Sequence, residues 1–416
     1  MPRPKVHIIG AGLAGLAAAV RLADGTRDIV VYEAARQAGG RCRSYYEPAL
    51  DLTIDNGNHL LLSGNYAVRD FLKRIGSENA LEGPKDARFP FVDLATGESW
   101  VLHPNAGPIP WWIFVPGRRV PGTRAKDYLG LLRLLMARDG QSLGEAMTCE
   151  GLLYERLWQP FFLAVLNTEP KEGAAVLAAA VTRETLMKGA GACRPLVAVK
   201  GLTAAFIEPA LRHLAAHKAD VRFEHRLRAF AFADARVSAL ELDEKHIAVE
   251  AEDAIILAVP APVAEDLMPG LVVPQSFRAI VNAHFKIAPP PSLPPILGVI
   301  NGLTEWLFTY PDRLSVTISG ADRLLDVGRE ELAERIWADV TQLTHIAGPL
   351  PAWQIIKEKR ATFAATPEEE ARRPGPISNY ANLFLAGDWT ANGLPATIEG
   401  AIRSGNRAAD EYLRTR

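Results

Sequence analysis

The chain has 416 residues, 48% of them hydrophobic and 23% charged, with a formal net charge of -2 at pH 7. That length suggests two or three domains' worth of fold. So even a balance argues against nucleic acid as a partner, because phosphate binding needs a concentrated basic face. Cys42, Cys149 and Cys193 are odd in number, widely spaced and free of any C-x-x-C pattern. Reduced thiols in a cytoplasmic protein are the expectation.

Residues 6–23 are apolar enough to imitate a signal peptide or a membrane span. Three glycines at fixed spacing, with a strand pattern before them and a helix pattern after, fit a buried βα unit better. A strand is therefore expected at 6–9, a helix at 13–23 and a second strand at 29–32, ending on Glu33. Pro110-Trp-Trp-Ile-Phe-Val115, followed by Arg118 and Arg119, reads as an aromatic patch able to rest on a membrane. A buried strand with a charged turn is the plainer reading. A helix is expected to begin near Gly201 and run to about 217, followed by strands at 221–223, at 254–259 before Pro260, and at 280–287. The proline-rich run at 287–295 is a stiff connection. A last strand, 383–386, leads through Gly387-Asp388 to a helix from about Ala396 to the end.

The α/β signals thus fall in three blocks, separated by stretches richer in tryptophan and proline. The expected fold class is α/β: a discontinuous Rossmann-type domain over 1–76, 198–262 and 375–416, with an inserted α+β substrate domain from 77–197 and 263–374. No run beyond residues 6–23 reaches spanning length without charges, so a soluble or peripheral protein is expected.

Gly10-Ala11-Gly12-Leu13-Ala14-Gly15 is a G-x-G-x-x-G run between strand and helix. Gly10 permits the tight turn, Gly12 lets backbone approach a pyrophosphate, and Gly15 lets the helix pack close. The helix N-terminus then offers N–H groups and a partial positive charge to phosphates. Glu33, at the tip of the second strand, suits the hydroxyls of an adenosine ribose and repels a 2′-phosphate. FAD is favoured over NAD by what surrounds this unit. Gly39-Gly40-Arg41 follows Glu33, and Gly387-Asp388 closes a strand where the aspartate could bond ribityl hydroxyls. The opening turn of the last helix, near Thr397 and Ile398, would face a flavin's N1 and C2 carbonyl and favour its reduced form.

These motifs resemble the FAD-dependent amine oxidase and carotenoid desaturase superfamily, and the resemblance covers essentially the whole chain. Carried over position by position, it implies cofactor contacts at Gly10, Gly12, Ala14, Gly15, Glu33, Ala34, Gly40, Arg41, Gly57, Gly387, Asp388, Thr397 and Ile398. It adds backbone contacts from Asn58, His59 and Leu227. Asp55-Asn-Gly-Asn-His59, with Trp158-Gln-Pro160 leading to Asn167-Thr168, resembles the squalene-associated branch, the hydroxysqualene dehydroxylases of bacterial hopanoid synthesis. That branch usually has Gln where this chain has Asn58. The resemblance implies removal of an allylic hydroxyl, with hydride from the reduced flavin quenching an allyl cation.

Such a site should be dry and rich in aromatic faces, which Trp158, Phe161 and Phe162 could supply unless they are ordinary core. Amine oxidases often rely on a lysine near the flavin. Asn282 occupies the equivalent place here, which tells against an amine substrate. Asn282 and His284 share one strand face by its two-residue period, so either could position or protonate a leaving hydroxyl; Asn167 is a further catalytic candidate. His213 and His217 lack a third ligand, so no metal is expected. Gly189-Ala-Gly191 lacks a preceding strand of the right kind, so electrons should come from an external reductase rather than from a second dinucleotide site. An isoprenoid desaturase or amine-oxidase-like enzyme, and a non-catalytic prenyl-binding protein, remain alternatives. Location in the cytoplasm, touching the inner membrane face, is the expectation.

Overall fold

The computed structural model describes residues 3–243 and 245–415. Its first layer is a five-stranded parallel sheet. The strand order is Leu383–Leu385, Ala254–Leu257, Lys5–Ile9, Asp28–Tyr32 and Asp220–Arg222. Apolar residues fill both faces of its central strands: Val6, Ile8, Ile255, Ile256 and Val31 are all fully buried. This is the pattern of a parallel sheet covered by helices on both sides.

The helix Leu13–Leu22 buries every residue except Arg21. It lies against the last helix, Ile398–Arg414, through small residues on both. A Cβ on Gly405 would stand 2.1 Å from the carbonyl oxygen of Ala14, and one on Gly15 would stand 1.9 Å from that of Gly10. These two glycines set the distance at which the first helix, its turn and the last helix meet.

The second layer is a seven-stranded mixed sheet. It joins strands from both stretches between the parallel blocks: Phe89–Asp93 pairs in parallel with Ile296–Ile300, placing Gly298 opposite Phe91. The Phe91 ring occupies the space a Gly298 side chain would need, 2.4 Å from its Cβ position. The helix Arg329–Thr344 covers one face, where Val281, Ala283 and Phe285 meet Ile336, Trp337 and Val340. By the two-residue period, Ile280, Asn282 and His284 point to the opposite face.

Several expected elements differ in extent or kind. The strand expected at 280–287 runs over Phe277–Phe285, because Phe277 already pairs with Phe363 and prolines begin at 289. The chain after Gly201 makes a π-turn, Thr203–Ile207, before the helix Glu208–Ala216, with Pro209 in its first turn. Pro110–Val115 is neither a strand nor a wholly exposed patch. Pro110 and Pro116 bracket a short 3-10 helix, Trp111–Phe114, with Trp112 and Ile113 inside and Trp111 and Phe114 outside.

Candidate active site

The glycine turn ends the central strand at the carboxyl edge of the parallel sheet, where open α/β sheets receive their ligands. Gly10 has φ +104°, and a Cβ there would lie 2.4 Å from the Ala258 carbonyl oxygen. The Gly39-Gly40 loop crosses directly above: the N–H of Gly39 donates to the Ala11 carbonyl at 2.8 Å, and Gly12 bridges Gly39. Glu33 closes the turn. Its carboxylate accepts from the N–H of Ala11 and of Ala35, both at 2.8 Å. No side chain caps the first turn of the helix Leu13–Leu22, and nothing lies within 4 Å of a Cβ position on Gly12. A backbone-lined anion cradle at a helix N-terminus is thus left clear.

Ala34 is exposed beside Glu33, and Leu227 opens a strand just after the backbone pairs Glu224–Ala35 and His225–Glu33. Neither lines the cavity, which takes in Leu13 and Arg41. The structure puts them instead at the sheet edge beside the acid.

Arg41 and Asp388, 347 residues apart, form an ion pair in which one guanidinium nitrogen lies 2.7 and 2.8 Å from the two carboxylate oxygens. Asp388 is also the main reason the Arg41 guanidinium is held above its usual range. Gly387, at φ +151°, passes its N–H to the Ser404 hydroxyl at 3.0 Å, tying this loop to the last helix. Thr397 caps that helix by accepting from the N–H of Gly400 at 3.0 Å, so its hydroxyl is engaged in the cap. Ile398 is buried behind it, yet lines the cavity.

The Asp55–His59 segment is held by Asp55, which accepts from the Ser44 hydroxyl at 2.6 Å and the Leu202 N–H at 2.8 Å. It places Gly57, Asn58 and His59 on the cavity wall. Burial, and next to it Arg41, push the His59 imidazole down to about 4.

Opposite these polar groups, the seven-stranded sheet and the helical stretch contribute Phe89, Phe91, Phe161, Ile280, Trp306 and Phe308. The cavity wall therefore joins polar groups, Arg41, Asn58, His59, Asn282 and Asp388 among them, to an aromatic stretch that could hold a hydrocarbon chain.

Three of the four expected catalytic residues are placed differently from the sequence reading. Trp158 is 3% exposed and lies behind the wall, its ring stacked on Phe162 at 5.9 Å, while Phe161 takes the cavity position. Asn167 reaches the wall, but its amide is used up. Its φ of +49° ends the helix Gln159–Leu166, Nδ2 donates to the Thr362 hydroxyl at 2.9 Å, and Oδ1 accepts from the Gly320 N–H at 2.7 Å. It acts as a helix cap joining three elements. His284 is fully buried and off the wall, with Nδ1 and the Ser315 hydroxyl 2.7 Å apart. Burial, then Arg313, drive its imidazole down to about 3, so it is neutral near pH 7 and is no acid for a leaving group. Asn282 alone among the four faces the cavity with an amide nitrogen free of protein partners among the described residues.

Two groups escaped the sequence reading. Glu399, 3% exposed, accepts from the N–H groups of Ala67 and Val68 at 3.0 and 2.9 Å and so caps the helix Tyr66–Arg74. Arg403 makes a two-pronged pair with Glu184, at 2.9 and 2.6 Å, joining the last helix to the helical stretch. Acid and base four apart at the start of the last helix were the available signal.

The His284 environment sets a pH dependence. An imidazole whose folded pKa is lowered costs stability as pH falls below the unfolded value of 6.5 toward about 3. Over that window His284 should take away on the order of 1 kcal/mol per pH unit. Urea unfolding of His284→Asn at pH 7 and pH 5 should show a shallower pH slope than the unmodified protein. Equal slopes would mean that His284 is not held neutral.

The residues present fit FAD: an uncapped helix N-terminus under two glycine loops, an acid fixed at the tip of the second strand, and Asp388 with Arg41 beside the opening turn of the last helix. Fold and site together define an FAD-dependent oxidoreductase, and the chain belongs to the flavin-containing amine oxidoreductase family, whose model matches residues 13–413. Within that family it is similar to the hydroxysqualene dehydroxylase of Sinorhizobium fredii, at 55% identity over 99% of both chains. It is 53% identical to that of Rhodopseudomonas palustris over 98% of both chains. The fold is also that of cyclohexylamine oxidase from Brevibacterium oxydans, with a TM-score of 0.72 over 99% of both chains at 18% identity.

Proposed function

We propose that this protein removes the allylic hydroxyl of hydroxysqualene, giving squalene and water. The observation that carries this reading is the 55% identity, over 99% of both chains, to a hydroxysqualene dehydroxylase. The aromatic stretch of the cavity wall supports it. Phe161, Trp306 and Phe308 offer an isoprenoid chain apolar contact, and ring faces stabilise a passing allyl cation without trapping it. Gly10, Gly12, Glu33, Arg41 and Asp388 would hold FAD, which in its reduced form would supply the hydride that replaces the hydroxyl. Residues 77–197 and 263–374 are the substrate domain in this reading.

The test is product analysis. Protein reduced with dithionite in D2O, without oxygen, should convert hydroxysqualene to squalene carrying one deuterium at the carbon that bore the hydroxyl. Recovery of the unchanged alcohol would overturn the proposal.

Reducing equivalents would come from an external reductase. Gly189 and Gly191 lie at and within a four-residue helix, Ala190–Cys193, rather than in a strand-to-helix turn, which supports that assignment.

A peripheral membrane contact is the companion proposal. Among the described residues, no helix is long and apolar enough to cross a membrane. Yet Ile109, Phe114 and Met136 are 75%, 69% and 71% exposed, with Trp111, Leu129 and Leu132 also outside. Arg118, which stacks on Trp111 at 4.9 Å, Arg119 and Arg133 accompany them. Apolar side chains mixed with cations suit an anionic lipid surface. Replacing Trp111 and Phe114 together with serine should weaken binding to anionic vesicles by about tenfold or more, from the apolar area withdrawn. FAD content should stay unchanged; a variant that loses FAD or aggregates would show these residues to be core.

A further inference from the structure

The Asn282 side chain is 1% exposed, and its two ends have different company. Oδ1 accepts from the Thr317 hydroxyl at 2.8 Å and from the backbone N–H of Asn58 at 3.3 Å. A backbone N–H can only donate, so the atom facing it must be the oxygen. The amino group consequently points the other way, toward Gly57. A Cβ on Gly57 would sit 3.1 Å from Nδ2, so the glycine keeps that side clear, and both residues line the cavity. Among the described residues, Nδ2 has no protein partner.

The chain of donors continues behind it. Asn58 Nδ2 donates to the Thr317 hydroxyl at 3.0 Å and to the Val316 carbonyl at 3.4 Å. A carbonyl can only accept, so the orientation of this second amide is fixed as well. Its Oδ1 then accepts from the Tyr310 hydroxyl at 3.3 Å. Burial pushes the Tyr310 phenol well above its usual range, which keeps its proton in place. The Arg313 guanidinium lies 3.9 Å from the Tyr310 ring centroid. Every bond in the series Tyr310, Asn58, Thr317, Asn282 points the same way, and aligned hydrogen bonds polarise one another.

We propose that this one-way series makes the Asn282 amide a preorganised donor to the departing hydroxyl oxygen of the substrate, with Tyr310, Asn58 and Thr317 as positioning residues. The inference rests on the dehydroxylase reading. The C–O bond breaks with its electron pair on oxygen, where the amide N–H meets the developing negative charge. That oxygen then takes a proton from solvent and leaves as water, while the allyl carbon takes the hydride supplied by the reduced cofactor. The amide itself gives up no proton.

The expected sizes follow from the role. Loss of one preorganised donor to a developing oxyanion costs about 10²–10³ in rate. Asn282→Asp keeps the shape and removes the donor, so its single-turnover rate with hydroxysqualene should fall by about that factor, with half-saturation little changed. Thr317→Val lets the amide rotate and should cost about tenfold. Thr317→Ser, which keeps the hydroxyl, should restore the rate. FAD affinity and the oxidised flavin spectrum should be the same throughout.

Unmodified protein serves as the reference: if it fails to turn over hydroxysqualene, the dehydroxylase reading falls and this inference with it. If it turns over and Asn282→Asp is equally fast, the donor role alone is wrong. A change confined to FAD affinity or spectrum would assign the amide to the cofactor and also overturn the proposal. Should Thr317→Val fail to hold FAD, the comparison of Asn282→Asp with the unmodified protein decides.

Discussion

Glu33→Ala is expected to leave the purified protein nearly free of FAD. The carboxylate is held at the strand tip by the N–H groups of Ala11 and Ala35, each at 2.8 Å. One bond reaches into the glycine turn and the other into the following loop, so the acid braces the cradle at the place where a bound ribose is expected. Its removal loses two charge-assisted ribose hydrogen bonds, each contributing about 1.5–3 kcal/mol. Together these predict FAD affinity weaker by about 10²–10⁴-fold. Glu33→Gln retains one acceptor and should lose less. Flavin content per chain and a fluorescence titration of the apoprotein check both variants. Undiminished affinity in Glu33→Ala would mean that the acid does not bind the ribose.

The second large effect is on stability. Exchanging glycine for alanine inside a helix ordinarily gains up to about 1 kcal/mol. At Gly15 and Gly405 the sign should reverse, because the new Cβ would meet backbone oxygens at 1.9 and 2.1 Å. Neither oxygen can swing aside as the end of a flexible side chain could, so a whole helix must shift. Overpacking of this kind costs about 1–3 kcal/mol, and more where backbone moves. Gly15→Ala or Gly405→Ala should therefore lower the unfolding midpoint by several degrees. Gly130→Ala is the contrasting case: it opens the helix Gly130–Leu135, has negative φ and meets nothing within 4 Å. That variant should be neutral or slightly stabilising. Equal midpoints in all three would refute the close packing of the first and last helices.

How far the sequence could be read depended on the range of the interaction concerned. The glycine turn, the helix after it and Glu33 lie within one local unit, and residue spacing alone locates them. Arg41 and Asp388 were each singled out from their motifs, but their pairing across 347 residues was not legible, since it follows from the parallel sheet bringing the two ends together. His284 shows the limit of periodicity. It shares a face with Asn282, yet two residues further along the strand that face has left the cavity and meets Ser315. Asn167 was a candidate only through the resemblance of the Trp158–Thr168 stretch; a polar residue closing an apolar helix is also the signature of a left-handed cap. Thr317 and Tyr310 went unnoticed because their partners come from other segments. Even so, polar Arg313, Ser315 and Thr317 alternating with Leu314, Val316 and Ile318 in a buried strand were a usable sign.

The claim that joins fold, cavity and family is that this flavoprotein gives electrons to an allylic alcohol rather than taking them from a hydrocarbon. The most direct measurement is the flavin's absorbance when hydroxysqualene is mixed with dithionite-reduced protein under strict exclusion of oxygen. Recovery of the yellow colour in a single turnover, with squalene formed in equal amount, is the result expected. A flavin that stays bleached with hydroxysqualene, in a protein whose oxidised flavin bleaches on addition of squalene or phytoene, would contradict it and reverse the direction of the chemistry.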